Sequence, residues 1–307
     1  MTPDPASTSP PSPRVVLGTP RKLPRADALP GRVVVLDIAF AASGTGASFE
    51  KVTAPFLRGL GDRLVRWVDH HDHAYHARYA ADPRFVLATK AEHGACPEMV
   101  TPALVAATGA VDTVVCHNDF DGLYAAAKWI RGGLEPYPGA DDDARAVDTR
   151  LGSPSPRGDM VDRALRVYGR DEAFQLQVVD WLVAGCPDGA RADALAEAAA
   201  EYTRVADATE ALADERYELH GAVAVCDVGD VPGRQFDKTA LLLLGQQRAR
   251  VSMVLDAHNV TLAAAFDSGL DFLAILRVGG GMPTRVSVPR SREGEVVTAL
   301  QAGGLWR

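Results

Sequence analysis

Three apolar runs decide the fold: RVVVLDIAF at 32–40, RLVRWVDHHD at 63–72 and VDTVVCHNDFDG at 111–122. Each is rich in β-branched residues and largely apolar, the pattern of a strand buried on both faces of a parallel sheet. Helical patterns lie between and after them, in CPEMVTPALVAATG at 96–109, GLYAAAKWIRGG at 122–133 and RGDMVDRALRVYG at 157–169. Strands alternating with helices imply an α/β domain built on a doubly wound parallel sheet. The β-branched part of each run ends at an acid or histidine, Asp37 in the first, and in such sheets ligands bind just beyond the carboxyl ends of the strands.

Upstream of these runs, residues 1–30 are rich in Pro, Ser and Thr with scattered Arg, a composition that predicts a mobile tail. The first domain is therefore expected over 31–186. Downstream, the Ala- and acid-rich stretch at 188–215 has high helix propensity, which places a helical linker at 187–219. Residues 220–307 alternate again, through GAVAVCDVGD, FDKTALLLLGQQ, RVSMVLD, NVTLAAAFD, VGGGMPTRVSVP and GEVVTAL, and predict a smaller second α/β domain. A chain of 307 residues that is 47% apolar supplies core material for both.

The net charge of −8 excludes an overall positive field able to hold long duplex nucleic acid, and leaves short anionic ligands open. No apolar run approaches the about 20 residues needed to cross a bilayer, and MTPDPASTSPPSPR lacks the hydrophobic segment of a secretory signal. The expectation is a cytoplasmic protein without a membrane partner. Cys96, Cys116, Cys186 and Cys226 form no CxxC pair, so they read as core thiols and not as a zinc knuckle or a disulfide framework.

Six of the eight histidines fall between 70 and 117, each cluster beside aspartates. Side chains of an extended strand repeat every second residue, so His117, Asp119 and Asp121 are expected to point the same way. Two carboxylates and an imidazole on one face make a poor core and a good cation site. Held together without a metal they repel and lose solvation, whereas divalent cations stabilise the same cluster. Gly122 is expected to permit a tight turn into a helix whose N-terminus favours phosphate. Each motif alone has a plainer reading: Asp37 as a turn or cap, DHH as a solvated loop, HNDFDG as an Asx turn. Their joint occurrence at three strand ends favours a site for ions such as Mn²⁺.

Taken together, these residues resemble the DHH phosphoesterase superfamily. VDHHD at 68–72 is similar to its DHH signature, HNDFDG at 117–122 to its HxDxDG motif and VVVLDIAF at 33–40 to its aspartate strand. AVDTR at 146–150 resembles the later Asp-Thr motif and offers Asp148, with Asp180 in VVDWLVAG as a rival. The stretch 266–289 resembles the DHHA1 substrate-binding domain, whose glycine motif is usually GGGH; here Met282 stands in the histidine's place. The combination is nearest to the RecJ-like and oligoribonuclease (nanoRNase) enzymes. The HxDxDG strand follows DHH instead of preceding it, as though the domain were circularly permuted, which is tolerable when the original termini are close.

The resemblance implies a metal-dependent phosphoesterase that hydrolyses short oligonucleotides to mononucleotides. It implies two Mn²⁺ ions, with Mg²⁺ or Co²⁺ as substitutes, held by Asp37, His70, His117, Asp119, Asp121 and Asp148, with Asp37 bridging and water activated between them. His71 would contact the scissile phosphate and Asp69 would orient an imidazole. Gly279, Gly280, Gly281, Met282 and Arg285 would meet the substrate, Arg285 replacing the missing histidine by a charge-assisted contact to phosphate. His73 and His76 are read as surface or substrate contacts, Lys238 and Arg277 as solvated charges. The substrate stays open between a short oligonucleotide, a cyclic dinucleotide and 3′-phosphoadenosine 5′-phosphate. A retired enzyme that only binds nucleotide is the alternative of a different class, and the resemblance is compatible with a homodimer.

Overall fold

The alternation of strands and helices becomes two sheets in the computed structural model, which describes residues 12–307. The first half runs β1 (Arg14–Gly18), β2 (Val33–Leu36), α1 (Ala54–Leu60), β3 (Leu64–Asp69), β4 (Asp72–His73), α2 (His76–Tyr79), β5 (Phe85–Leu87), α3 (Pro102–Thr108), β6 (Thr113–His117), α4 (Phe120–Ile130), α5 (Ala140–Thr149), α6 (Pro156–Tyr168) and α7 (Glu172–Val183). The long α8 (Ala190–Arg216) leads into β7 (Tyr217–His220), β8 (Val223–Asp227), α9 (Lys238–Gln246), β9 (Val251–Leu255), β10 (Asn259–Ala263), α10 (Phe272–Leu276), β11 (Gly280–Gly281), β12 (Arg285–Pro289) and α11 (Glu293–Ala302).

The first sheet is parallel throughout, in the order β1-β6-β2-β3-β5. Its central strand β2 is buried on both faces: Val34 and Leu36 join the core under α4 to α8, while Val33 and Val35 pack with Phe40, Phe56 and Trp67 on the opposite side. That two-sided burial is why 33–36 is an unbroken run of Val and Leu. The second sheet, β12-β10-β9-β8-β7, is mixed, with only β8 and β9 parallel. Between the sheets α8 packs along α6 and then along α9. Among the described residues no helix is long and apolar enough to cross a membrane.

The expected tail over 1–30 fails from Arg14 onward. Its first part, residues 1–11, lies outside the described residues, but Arg14–Gly18 is an edge strand paired in register with Thr113–His117. The apolar tripeptide Val15–Leu17 pairs along β6 and packs against the core, and the prolines around it are harmless at an edge. The same segment reaches the second sheet, where Arg21 Nη2 donates to the Ser287 carbonyl at 3.1 Å.

The two units meet at a small antiparallel bridge, β4 with β11, in which Gly280 faces His73 and Gly281 faces Asp72. A Cβ on Gly280 would fall 2.3 Å from His73 Cδ2 and 2.7 Å from the Asp72 carbonyl oxygen, and Gly281 has a φ of +128°. The glycines expected to meet substrate are thus also required for docking one unit on the other, and Gly279 continues the seam through its amide to the Ser43 carbonyl at 3.3 Å.

Candidate metal centre

Because β6, β2, β3 and β5 lie side by side in this order, their carboxyl ends form one edge, and the residues that follow them face one another there. His117 ends β6, Asp37 follows β2, Asp69, His70 and His71 close β3, and Lys90 comes shortly after β5. Asp37 takes φ +59°, a left-handed conformation uncommon for a residue other than glycine. Its amide donates to the Val68 carbonyl at 2.8 Å, so the residue is held tightly to β3 as it leaves the sheet.

Asp119 and Asp121 arrive by a different route from the expected strand alternation. The strand stops at His117, Asp119 stands at the N-cap position of α4 with its side chain turned away from the helix amides, and Asp121 lies in the first helical turn. Gly122 is not a turn residue either, since it sits inside α4. A Cβ there would come within 2.5 Å of the His117 carbonyl oxygen, so its role is to let the helix press against the strand end. Asp148 enters from the last turn of α5. Its rival Asp180 is on α7, largely exposed and paired with Arg191 at 3.7 Å.

The cluster has two halves that share Asp37, and the donor atoms of Asp37, His70 and His71 form a further grouping between them. In one, donor atoms of Asp37, His117 and Asp119 lie within 4.8 Å of one another, with His117 Nδ1 2.6 Å from Asp119 Oδ2 and 3.6 Å from Asp37 Oδ2. In the other, His70 Nε2 stands 3.1 Å from Asp37 Oδ1, 3.2 Å from Asp121 Oδ2 and 3.9 Å from Asp148 Oδ2. His70 Nδ1 meets the His93 carbonyl oxygen at 2.8 Å and must donate there, which turns Nε2 toward the cluster. Asp121 also accepts from the Cys96 amide at 3.2 Å. Asp69, fully buried, lies 2.7 Å from His71 Nδ1 and fixes that ring, so Nε2 is the nitrogen left for the cleft.

Several of these buried atoms make no well-directed hydrogen bond, namely both Asp37 oxygens, Asp69 Oδ2, Asp119 Oδ1 and His117 Nδ1, although Asp37 Oδ1 and His117 Nδ1 each stand at ion-pair distance from a neighbour. Native interiors rarely leave such atoms unmatched. Burial, with the Asp121 and Asp119 charges, pushes the Asp37 carboxyl up to about 6. A divalent cation would satisfy the unmatched atoms and remove the repulsion together, so the Asp37, His117 and Asp119 half fits a metal on its donor set.

Lys90 had no counterpart in the sequence reading. Its side chain is buried, Nζ lies 2.9 Å from His70 Nε2 and touches Asp148 Oδ2, and it inserts into the second half of the cluster. Burial opposes its charge, but Asp148, then Asp121 and Asp37, prevail and raise its pKa, keeping the ammonium.

A cleft of about 390 Å³ opens beside the cluster, lined by His71, His117, Gly280, Gly281 and Arg285 and by the segment Thr19–Arg21. A neighbouring cavity joins Asp119 and Asp148 to three arginines. Of these, Arg166 is held by Asp162 at 2.8 Å and by Asp237, whereas Arg150 reaches Asp162 only at 3.4 Å and leaves Nε unpartnered. Arg285 Nη2 donates to Thr239 Oγ1 at 3.0 Å. Removal from solvent and the charge of Arg150 press the Arg285 pKa down, against the pull of Asp148 and Asp237. Met282, Thr284 and Leu242 line a third pocket beside Asp148 and Arg285. Lys238 pairs with Asp256 at 3.1 Å, and Arg277 is exposed. His73 and His76 are partly buried and pack edge-on against Phe40, which corrects the surface reading, because the turn after β4 folds them beneath the seam.

No protein-family model matches the sequence, and no curated protein matches it.

Proposed function

We propose that the protein is a divalent-cation-dependent phosphodiesterase of the DHH type that hydrolyses short oligonucleotides to mononucleotides. The observation that carries this reading is the set of buried, unpartnered atoms on Asp37, His117 and Asp119, at the rim of a cleft that also holds arginines. A bound cation of the Mn²⁺ class supplies Lewis acidity, polarising a phosphoryl oxygen and lowering the pKa of water. The chain's own residues do the rest. Arg285 and Arg150 hold a phosphate through charge-assisted hydrogen bonds. His71, oriented by Asp69, presents Nε2 to the leaving oxygen and can deliver a proton there. The seam of Gly280 and Gly281 against β4 keeps the second unit over the cluster and limits the cleft to a ligand of a few nucleotides. The permuted motif order is compatible with this reading because the sheet order, not the chain order, brings the strand ends together.

The test is incubation of the purified protein with Mn²⁺ and a panel of di- to pentanucleotides, cyclic dinucleotides and 3′-phosphoadenosine 5′-phosphate. Mononucleotide release from the short oligomers is the expected result. Hydrolysis confined to the cyclic or bisphosphate ligands would move the substrate assignment, and binding without hydrolysis of any of them would overturn the enzymatic reading.

A further inference from the structure

The two halves of the cluster differ in one group. In the half built by Asp37, His117 and Asp119 the basic group between the carboxylates is the His117 imidazole, whereas in the other half Lys90 Nζ stands against both His70 and Asp148. We propose that the Lys90 ammonium fills the second cation position of the cluster, so that the chain binds one divalent cation, at Asp37, His117 and Asp119, and not two. This rests on the cation-binding reading above and departs from the pair of ions that the family resemblance implies.

The argument is geometric. His70 Nε2 and Asp148 Oδ2 are 3.9 Å apart, so an ion ligated by both, at about 2.1 Å from each, must lie close to the line joining them. Lys90 Nζ already borders that line, touching Asp148 and lying 2.9 Å from Nε2. Every such ion position falls well inside contact distance of the ammonium, so the two cations exclude each other.

Nor does Lys90 have an easy retreat. The loop that carries it is pinned on both sides: the Ala88 amide donates to the Asp69 carbonyl at 2.9 Å, the His93 amide to the Thr89 carbonyl at 3.0 Å and the Cys96 amide to Asp121 at 3.2 Å. Withdrawn from His70 and Asp148, the ammonium would remain in the interior without a partner, a costly state. In its observed place it supplies a fixed positive charge beside the cleft, without Lewis acidity and without dependence on metal concentration.

The experiment is a titration of the whole protein with Mn²⁺ alone, read by calorimetry, by elemental analysis after dialysis and by electron paramagnetic resonance. Wild type is expected to take up one ion per chain with the spectrum of an isolated Mn²⁺, and Lys90→Met to take up two with the spectrum of a spin-coupled pair. Two ions in wild type would overturn the proposal while leaving the cation-binding reading intact. One ion in both proteins would overturn the role of Lys90, and none in either would overturn the cation-binding reading itself. If Lys90→Met does not fold, Lys90→Gln takes its place with the same two outcomes, and two ions in wild type overturn the proposal in either case.

Discussion

The cleft has an acidic wall and a basic wall, and they are finished to different degrees. On the basic wall Arg166 is closed off by Asp162 and Asp237, with Tyr202 Oη donating to Asp237 at 2.7 Å, so its charge is matched inside the protein. On the acidic wall Asp37 is buried with neither oxygen in a well-directed hydrogen bond and with a left-handed backbone. A buried charge that the protein satisfies serves the fold, whereas one left unsatisfied at the mouth of a cleft is held for a ligand. Arg150 and Arg285 lie between these limits, each with one protein partner and hydrogen-bonding capacity to spare.

The comparison breaks first at Asp37. Asp37→Asn should abolish Mn²⁺ binding at its half of the cluster and with it hydrolysis. The same change should stabilise the metal-free protein. The native carboxyl has its pKa raised from 3.8 to about 6, so the folded state binds a proton more tightly than the unfolded chain does. Its contribution to stability is present at low pH and is lost as pH rises from about 4 to 6, by roughly 3 kcal/mol. With chelator present, thermal melts of Asp37→Asn and wild type should coincide near pH 4 and separate by pH 7 in favour of the variant. Equal melts at pH 7 would mean that Asp37 is not strained by its neighbours.

The opposite behaviour is expected of the finished wall. Arg166→Ala leaves Asp237 without its cation and Asp162 with Arg150 alone, and should destabilise the fold by about 3 kcal/mol, without changing Mn²⁺ affinity in molecules that remain folded. Denaturant unfolding and metal titration of one preparation check both parts. A smaller effect is expected of Arg285→Ala: KM for a short oligonucleotide should rise by roughly tenfold, with Mn²⁺ uptake and melting temperature close to wild type. A fall in kcat with KM unchanged would place Arg285 outside phosphate recognition.

How much of this was legible in the sequence follows from the same physics. The three long strands announce themselves by continuous β-branched runs, and their acidic, histidine-bearing ends lie at the edge where an α/β sheet gathers ligands. Asp119 and Asp121 were gathered by strand alternation, although a cap and a helical turn bring them there. β1 was hidden by its Pro- and Ser-rich flanks, because local composition cannot show a pairing made with a strand about a hundred residues away. β5 is only three residues long, so nothing marked Lys90 as following a strand, and a lone lysine in a loop reads as solvated. Arg166, four residues after Asp162, has the spacing of an ordinary surface helix pair, and only the packing of α6 against α8 and the pairing with Asp237 show it largely buried. The choice between Asp148 and Asp180 likewise needed the direction in which each helix faces.

The most direct test of the account is diffraction from crystals soaked in Mn²⁺, recorded at a wavelength where manganese scatters anomalously. The expected result is a peak bounded by Asp37, His117 and Asp119, with Lys90 still against His70 and Asp148. Ordered carboxylates with no peak among them, at Mn²⁺ concentrations that support any hydrolysis, would contradict it.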